Sequence, residues 1–265
     1  MAIKRRDFLK FGGLTLLGTA ASSVLGDVVA RGETTAQQYE PSPKQLKAKR
    51  WAIAIEVKKC KEAQKTCGFK CIEVCDYLHN IPQIPDKKKE VKWIWHDEFE
   101  HVFPEQGTNE YLVEHFKGVP FILLCNHCEH PPCVRVCPTR ATFKREEDGI
   151  VMMDFHRCIG CRFCMAACPY GARSFNWYDP RRFLKKVNPE YPTRTKGVVE
   201  KCLMCYERLA DGKIPACVEA CPAKALHFGD LGDPNSEISK LLKERLVIRR
   251  KENLGTGPSV FYIVD

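Results

Sequence analysis

Cysteine is the residue type in this sequence whose number and spacing could support metal chemistry. All sixteen cysteines lie between residues 60 and 221 of the 265-residue chain, in four groups of four. We call these groups quartets one to four, in chain order: Cys60, Cys67, Cys71 and Cys75; Cys125, Cys128, Cys133 and Cys137; Cys158, Cys161, Cys164 and Cys168; Cys202, Cys205, Cys217 and Cys221. Four thiolates are the ligand set of one [4Fe–4S] cluster. Sixteen cysteines therefore suffice for four clusters, with none left over.

Quartet three has a spacing that explains how one loop can bind iron. Its sequence, CIGCRFCMAACP, follows the pattern C-x2-C-x2-C-x3-C-P of bacterial-type ferredoxins. Three cysteines two residues apart let a tight loop surround one cluster, whereas the fourth ligates the second cluster of a pair. Quartets two, three and four all end in Cys-Pro, at Pro138, Pro169 and Pro222. The quartets must therefore work in pairs, and the sequence predicts four [4Fe–4S] clusters.

Other uses of clustered cysteines explain this pattern less well. A structural zinc site needs only two C-x2-C pairs, which leaves the longer C-x2-C-x2-C-x3-C-P pattern without a reason. Eight disulfides would force cysteines in tight loops to pair with poor geometry. Covalent haem needs C-x-x-C-H, and the residues that follow the C-x-x-C pairs here are Glu129, Arg162, Met165 and Tyr206. Zinc binding stays as the alternative of another class, and haem c is excluded.

The segments between the quartets contain the elements that must hold the cysteines in place. Alternating apolar residues predict strands at 52–57, at 91–96 and in the C-terminal PSVFYIVD. The segment DPNSEISKLLKERL predicts a helix capped by Asn235 or Ser236. We also expect a helix after the fourth cysteine of quartets two, three and four, because proline suits a first helical turn. Residues 31–50 are polar, contain two prolines and predict an extended linker.

The first 30 residues have the layout of an export signal. They begin with basic residues, continue with an apolar run from Phe11 to Gly26, and end with small residues at Ala30. The pair Arg5-Arg6 resembles the twin-arginine type of signal, whose known clients are exported already folded around their cofactors. No apolar run of 18 or more residues follows. We therefore expect an extracytoplasmic protein, in the periplasm or on the outer face of the cell membrane.

The formal net charge is +9, with 42 Lys and Arg against 33 Asp and Glu. A basic chain invites a nucleic-acid interpretation, but no nucleic-acid module or stripe of basic and aromatic residues is present. Four oxidised clusters with their thiolates would carry about −2 each, which nearly cancels the surplus. We therefore expect no nucleic-acid partner.

Two further groups of residues invite a functional interpretation. His127 and His130 lie inside quartet two, but with four cysteines present they are expected to support the site or face solvent rather than bind metal. The aromatic cluster is expected in the core or at a partner interface: Trp93, Trp95, Phe99 and Phe103.

Four segments carry a resemblance to a known family: CNHCEHPPCVRVCPTRA, CIGCRFCMAACPYGAR, KCLMCYERLADGKIPACVEACPAKALHFGDL and GDPNSEIS. They resemble the four-cluster iron–sulfur subunit of the dimethyl sulfoxide reductase type, which includes nitrite, polysulfide and tetrathionate reductase subunits. The resemblance runs from about Trp51 to Asp265. It implies an α+β fold with two ferredoxin-like lobes related by a pseudo-twofold axis, additional strands and a C-terminal helix. The implied boundaries are lobe one from 51–80 plus 196–228, lobe two from 118–176, and a C-terminal extension at 229–265.

The resemblance also implies a crossed arrangement of ligands. Quartet one is paired with quartet four, and quartet two with quartet three. The four implied ligand sets are Cys60, Cys67, Cys71 and Cys221; Cys202, Cys205, Cys217 and Cys75; Cys125, Cys128, Cys133 and Cys168; Cys158, Cys161, Cys164 and Cys137.

Quartet one departs from the family pattern. The family has C-x2-C-x2-C-x3-C at this place, whereas this chain has gaps of six, three and three residues, followed by Asp76 instead of proline. We expect the longer loop KEAQKT to surround a cluster. This variant, together with the twin-arginine signal, resembles the exported iron–sulfur subunits of heterodisulfide-reductase-like menaquinol oxidoreductases.

The expected function is electron transfer. The resemblance implies a relay of single electrons between a membrane subunit that oxidises quinol, in this family menaquinol, and a cytochrome c or another redox partner. The alternative is an iron–sulfur subunit of a molybdopterin reductase. No nucleophile elbow, H-E-x-x-H motif or phosphate-binding glycine loop is present, so no catalytic residue is expected. A chain that is itself an enzyme would need a cluster short of ligands, and sixteen cysteines for four clusters argue against that.

Overall fold

The computed structural model describes residues 42–265. The strands are β1 (Trp51–Glu56), β2 (Ile94–Asp97), β3 (Phe121–Leu124), β4 (Thr142–Lys144), β5 (Val151–Met153), β6 (Ser174–Phe175), β7 (Val199–Glu200), β8 (Leu226–Asp230), β9 (Val247–Ile248) and β10 (Val260–Ile263). The helices are α1 (Val57–Cys67), α2 (Lys70–Leu78), α3 (Phe99–Val102), α4 (Glu110–His115), α5 (Pro132–Arg135), α6 (Phe163–Ala166), α7 (Tyr206–Ala210), α8 (Ala216–Glu219) and α9 (Glu237–Glu244). Two 3₁₀ turns lie at Pro180–Phe183 and Glu252–Leu254. The described residues contain both helices and strands, and five of their six strand pairings are antiparallel, as in an α+β fold.

The largest sheet has four strands in the order β8-β1-β10-β9. Strand β1 pairs antiparallel with β8 and parallel with β10, and all six of its residues are buried. Its side chains alternate between two cores. Ile53 and Ile55 belong to the main core, whereas Ala52 and Ala54 pack with Ile238 of α9. The remaining strands form three two-stranded ribbons, β2-β3, β4-β5 and β6-β7.

The strands predicted at 52–57, at 91–96 and at the C-terminus are confirmed as β1, β2 and β10. The second of them begins later than predicted, at Ile94. The C-terminal helix is confirmed as α9, and of the two proposed caps the structure uses Ser236, whose side chain accepts a hydrogen bond from the backbone N–H of Ser239 at 3.2 Å.

The prediction of helices after the fourth cysteines is wrong. Instead, a single helical turn precedes each fourth cysteine: α5, α6 and α8 each have four residues, the second of which is the third cysteine of its quartet. The C-x3-C spacing is occupied by this turn. The proline that follows cannot donate a backbone hydrogen bond, so here it suits the end of a helix rather than a beginning.

Quartet one is built differently. The segment KEAQKT, expected as a loop, lies inside α1, which runs from Val57 to Cys67. Gly68 and Phe69 both have positive φ and turn the chain into α2. Because Asp76 stands where the other quartets have proline, α2 continues past Cys75 to Leu78. Cys60 and Cys67, two helical turns apart, lie on one face of α1.

Candidate metal centres

Three buried cavities are each lined by four cysteines drawn from two quartets. We name them site 1, lined by Cys60, Cys67, Cys71 and Cys221; site 2, lined by Cys75, Cys202, Cys205 and Cys217; and site 3, lined by Cys125, Cys128, Cys133 and Cys168. The three cavities are similar to one another in size. Three cavities of similar size with the same four donors suit three copies of one occupant.

We call the remaining four cysteines site 4: Cys137, Cys158, Cys161 and Cys164. Cys164 is buried, Cys137 and Cys158 are half-buried, and Cys161 is exposed. Burial raises the pKa of the Cys164 thiol, Arg173 lowers it, and Cys133 and Cys158 raise it further. Site 4 is therefore the most exposed of the four groups and lies beside site 3.

The thiols define the order in which the sites follow one another. Burial raises the pKa of Cys217, and the neighbouring charge that comes from outside site 2 is that of Cys71 in site 1. Burial raises the pKa of Cys202 to about 12, with Cys125 of site 3 as the next contributor. Cys133 of site 3 likewise acts on Cys164 of site 4. These influences make site 1 a neighbour of site 2, site 2 a neighbour of site 3, and site 3 a neighbour of site 4, so the sites form a series in that order.

The donor sets fit iron–sulfur clusters. All sixteen cysteines are free thiols, so the disulfide alternative is excluded. Burial raises the pKa of Cys60, Cys71 and Cys128 to about 12, so these thiols would be neutral at pH 7 unless a metal stabilised the thiolates.

Hydrogen-bond donors also converge on the sulfurs. The backbone N–H groups of Thr142, Met204 and Ala225 donate to the Sγ atoms of Cys137, Cys202 and Cys221 at 3.3–3.4 Å. At site 3 the side chain of Asn126 lines the cavity, is buried, and has no hydrogen-bond partner within residues 42–265. Such a free amide beside four thiols suits an occupant that accepts hydrogen bonds.

Two buried cations lie between the sites. Arg173 is 5% exposed; its Nη2 donates to Cys133 Sγ at 3.0 Å and its Nη1 to Thr142 Oγ1 at 3.0 Å. Lys201 is completely buried, and its Nζ donates to the carbonyls of Val151 and Cys202. Burial lowers the pKa of Lys201, whereas the thiols of Cys125 and Cys202 raise it. In the sequence, Arg173 and Lys201 are marked only by their position close to a cysteine quartet.

His79 lies beside site 2 and was not predicted from the sequence. It is 1% exposed, lines the cavity and stacks on Trp93 at 4.9 Å between ring centroids. Its Nδ1 lies 3.5 Å from Cys75 Sγ and 3.1 Å from the Cys75 carbonyl, and its Nε2 lies 2.9 Å from Glu207 Oε1. His79 thus connects a site 2 sulfur to a carboxylate.

The other residues singled out in the sequence take supporting places. His127 is buried and its Nδ1 accepts a hydrogen bond from the Val151 N–H at 3.1 Å, whereas His130 is exposed. Burial, together with Lys201 and Arg173, lowers the pKa of His127, so its ring is neutral. The aromatic cluster lies in the main core, with Trp93, Phe99 and Phe103 buried and Trp95 partly buried.

Each end of the series has an apolar surface. At site 4, Ile159 and Phe163, each two residues from the exposed Cys161, are 67% and 60% exposed, and Trp177, which is 40% exposed, lies 4.8 Å from the Arg162 guanidinium. We call these three residues the site 4 patch. At site 1, a broad surface groove is lined by Phe69, Ile72, Tyr77, Lys185 and Lys186 among others, and its Phe69 also lines the site 1 cavity. We call it the site 1 groove.

None of the helices in residues 42–265 has the length and apolar character needed to cross a bilayer. Two segments match the 4Fe-4S dicluster domain, residues 119–185 and 184–231. With sixteen cysteines, two dicluster domains give the chain four [4Fe–4S] clusters.

Curated relatives match over nearly the whole chain. The Hdr-like menaquinol oxidoreductase iron-sulfur subunit 1 of Archaeoglobus fulgidus is 43% identical, over 98% of this chain and 97% of its own length. The menaquinone reductase iron-sulfur cluster-binding subunit of Nitratidesulfovibrio vulgaris is 37% identical, over 83% and 90%. A tetrathionate reductase subunit of Salmonella typhimurium is 33% identical, over 99% and 89%. The chain belongs to this family of four-cluster iron–sulfur electron-transfer subunits, as the sequence predicted.

Proposed function

We propose that this chain relays single electrons between a membrane subunit that oxidises menaquinol and a cytochrome c or another redox partner. The observation that carries the proposal is that four sets of four cysteines neighbour one another in the order of sites 1 to 4, with exposed apolar side chains at each end. The clusters supply one-electron storage; the chain supplies their order, their surroundings and the surfaces where partners dock. The 43% identity to the Archaeoglobus subunit over nearly the full length supports menaquinol as the donor.

We propose further that each site holds one cluster through its four cysteines. For sites 1 to 3 the support is the cavity that each set lines. For site 4 the support is that these four cysteines remain when the other twelve are assigned, and that the Cys158 thiol raises the pKa of Cys164. Sites 1 and 2 would form lobe one and sites 3 and 4 lobe two, related by a pseudo-twofold axis. The repeated helical turn before the fourth cysteine of quartets two, three and four supports that symmetry.

The apolar surfaces are proposed as the places of electron entry and exit. Ile159 and Phe163 of the site 4 patch flank Cys161, the exposed cysteine of the series, and an electron would leave the chain by the shortest route there. The site 1 groove lies against Phe69, between Cys67 and Cys71. A membrane subunit at one end and a redox partner at the other would use the whole series.

Export by the twin-arginine route is also a proposal, because Arg5 and Arg6 lie outside the described residues. It rests on the basic start and apolar run of residues 1–30. Replacing both arginines by lysine should retain the protein in the cytoplasm with its iron bound. Unchanged export of the double variant would contradict the proposal of twin-arginine export, but it would not bear on the proposed electron transfer.

The proposed function is tested by isolating the native complex anaerobically through a tag on this chain. The expected preparation is brown, contains about sixteen iron and sixteen sulfide ions per chain, and includes an integral membrane subunit. Addition of a menaquinol analogue should reduce the clusters. Molybdenum in the preparation would favour the reductase alternative, which the 33% identity to the tetrathionate reductase subunit supports. A colourless protein with zinc would overturn the relay.

A further inference from the structure

Lys201 has an unusual environment for a lysine. Its side chain is completely buried, and its Nζ donates to two backbone carbonyls, that of Val151 and that of Cys202, the latter at 2.7 Å. Val151 lines the cavity of site 3 and Cys202 lines that of site 2. The ammonium group is therefore hydrogen-bonded to one residue that lines site 3 and to one that lines site 2. It lies between these two neighbouring sites.

No carboxylate within residues 42–265 forms an ion pair with Lys201. The adjacent Glu200 is engaged elsewhere, with Arg194 at 2.7 Å and the Trp93 indole at 2.9 Å. The charged groups that act most strongly on Lys201 are the thiols of Cys125, Cys202 and Cys133 and the guanidinium of Arg173, and Lys201 acts in turn on the buried His127 ring. Arg173 repels the ammonium and a histidine ring carries no negative charge, so among these groups the sulfurs alone offer negative charge.

An ammonium without a counter-charge is very unfavourable in a protein interior. Hydrogen bonds to carbonyls satisfy its N–H groups but leave its charge uncompensated. An oxidised [4Fe–4S] cluster with four thiolates carries about −2, and reduction adds another negative charge. Clusters at sites 2 and 3 would supply the compensation that the polypeptide lacks, and they would do so most strongly when reduced.

We propose that Lys201 is a shared counter-charge of sites 2 and 3 that raises the reduction potential of both clusters. Lys201 acts through the clusters and is a positioning residue, not a catalytic one. The inference rests on the proposed assignment of sites 2 and 3, and it adds that the two central clusters, which belong to different lobes, are tuned together by one side chain. An electron is thereby stabilised on either side of the junction between the lobes.

The experiment is a redox titration of the anaerobically purified full chain, followed by electron paramagnetic resonance. Lys201→Gln removes the charge and keeps a hydrogen-bond donor. Two of the four clusters should become harder to reduce, with at least a tenfold fall in the ratio of reduced to oxidised cluster at a fixed potential, which is about 59 mV for one electron. The matched control is Lys213→Gln, which removes an exposed lysine from the loop between Cys205 and Cys217. In this control the ratio of reduced to oxidised cluster should change by less than twofold for every cluster.

An unchanged titration of Lys201→Gln with full iron content, or a shift equal to that of the control, would overturn the inference while leaving the relay intact. If Lys201→Gln lacks iron, the iron content of Lys201→Arg is measured, because this variant keeps the positive charge but changes the shape of the side chain. Retention of iron in the arginine variant supports a requirement for charge, and loss of iron in both variants counts against it, because shape alone would then explain the loss. A wild-type protein without about sixteen irons contradicts the proposed function itself.

Discussion

Cys168 lines the same cavity as Cys125, although the two belong to different quartets and Cys168 is only four residues from Cys164 of site 4. The helical turn α6 contains Cys164 and ends at Ala166, so Cys168 lies beyond the turn, where its side chain lines site 3. Burial raises the pKa of Cys168, and Cys125 is the next contributor. Site 3 therefore takes its fourth cysteine from quartet three, the next quartet in the chain.

Cys168→Ser should therefore damage the cluster of site 3, not that of its own sequence neighbours. The reason is that serine would replace the proposed ligand that lines the site 3 cavity together with Cys125, Cys128 and Cys133. Electron paramagnetic resonance of the reduced protein should show the same altered signal in Cys168→Ser and Cys125→Ser, and a different one in Cys164→Ser. A shared signal for Cys168→Ser and Cys164→Ser would show that the quartets are not crossed.

Arg173→Met should lower the reduction potential of the site 3 cluster. The guanidinium is buried and donates to Cys133 Sγ at 3.0 Å, and hydrogen bonds and positive charge at the sulfur favour the reduced state. Loss of such a supporting contact also weakens metal binding about 10–100-fold. Potentiometric titration and the rate of iron release to a chelator measure the two effects.

The matched control for Arg173 is Arg135→Met, which removes an exposed arginine from α5, the helical turn that contains Cys133. It should leave the potential and the rate of iron release nearly unchanged, because solvent screens an exposed charge. Similar effects from the two variants would mean that net charge alone, and not the buried contact, controls the site.

Much of the site was predictable from the sequence, because ligand spacing is local information. Four cysteines at C-x2-C-x2-C-x3-C already indicate a cluster and its crossed fourth ligand. Strand β1 was equally predictable, since AIAIEV contains alternating apolar residues that are buried on both faces of a sheet. Quartet one could not be predicted in the same way, because the six residues between Cys60 and Cys67 allow either a loop or the two helical turns that form.

The supporting residues could not be predicted, because their partners are distant in the chain. Arg173 contacts a sulfur 40 positions away, and Lys201 a carbonyl 50 positions away. No periodicity or motif encodes such a contact. The same applies to His79, whose partner Glu207 is 128 residues distant. The helices expected after Cys-Pro failed for another reason: proline suits both ends of a helix, and the sequence alone did not decide which.

Arg194→Met should strongly destabilise the protein. Arg194 and Glu200 form an ion pair at 2.7 Å with both side chains almost completely buried. Removal of the arginine leaves an uncompensated buried carboxylate, at a cost of about 3–5 kcal/mol. Loss of cluster absorbance during thermal unfolding should therefore begin at a clearly lower temperature. The double variant Arg194→Met with Glu200→Gln should recover part of the loss, whereas no recovery would show that packing, and not charge, stabilises this region.

Gly160→Ala should disturb site 4 selectively. Gly160 lies between Cys158 and Cys161 with φ of +70°, and an added Cβ would lie 2.4 Å from the Gly197 carbonyl oxygen. Because that atom belongs to the backbone, the loop must shift and carry both cysteines with it. The expected result is loss or alteration of one cluster signal, with the iron content falling towards about twelve per chain.

Gly171→Ala is the control for Gly160, since it has φ of +64° but no atom within 4 Å of an added Cβ. Alanine at position 171 has the same cost of about 1 kcal/mol for a positive φ as alanine at position 160, but it causes no steric clash. Full iron content is expected. Equal loss of iron from the two variants would attribute the effect to backbone strain alone.

Phe163→Glu should impair electron transfer to a partner while leaving the clusters intact. Phe163 is 60% exposed in the site 4 patch, so a charged side chain is tolerated there by the fold but opposes burial of apolar surface in an interface. Stopped-flow oxidation of the reduced chain by its isolated redox partner should slow at least tenfold, with an unchanged redox titration. Leu254→Glu provides the control, because Leu254 is 51% exposed in a 3₁₀ turn outside the patch.

Unaltered electron transfer in Phe163→Glu would mean that electrons leave the chain elsewhere. Tyr77→Glu would then test whether they leave through the site 1 groove.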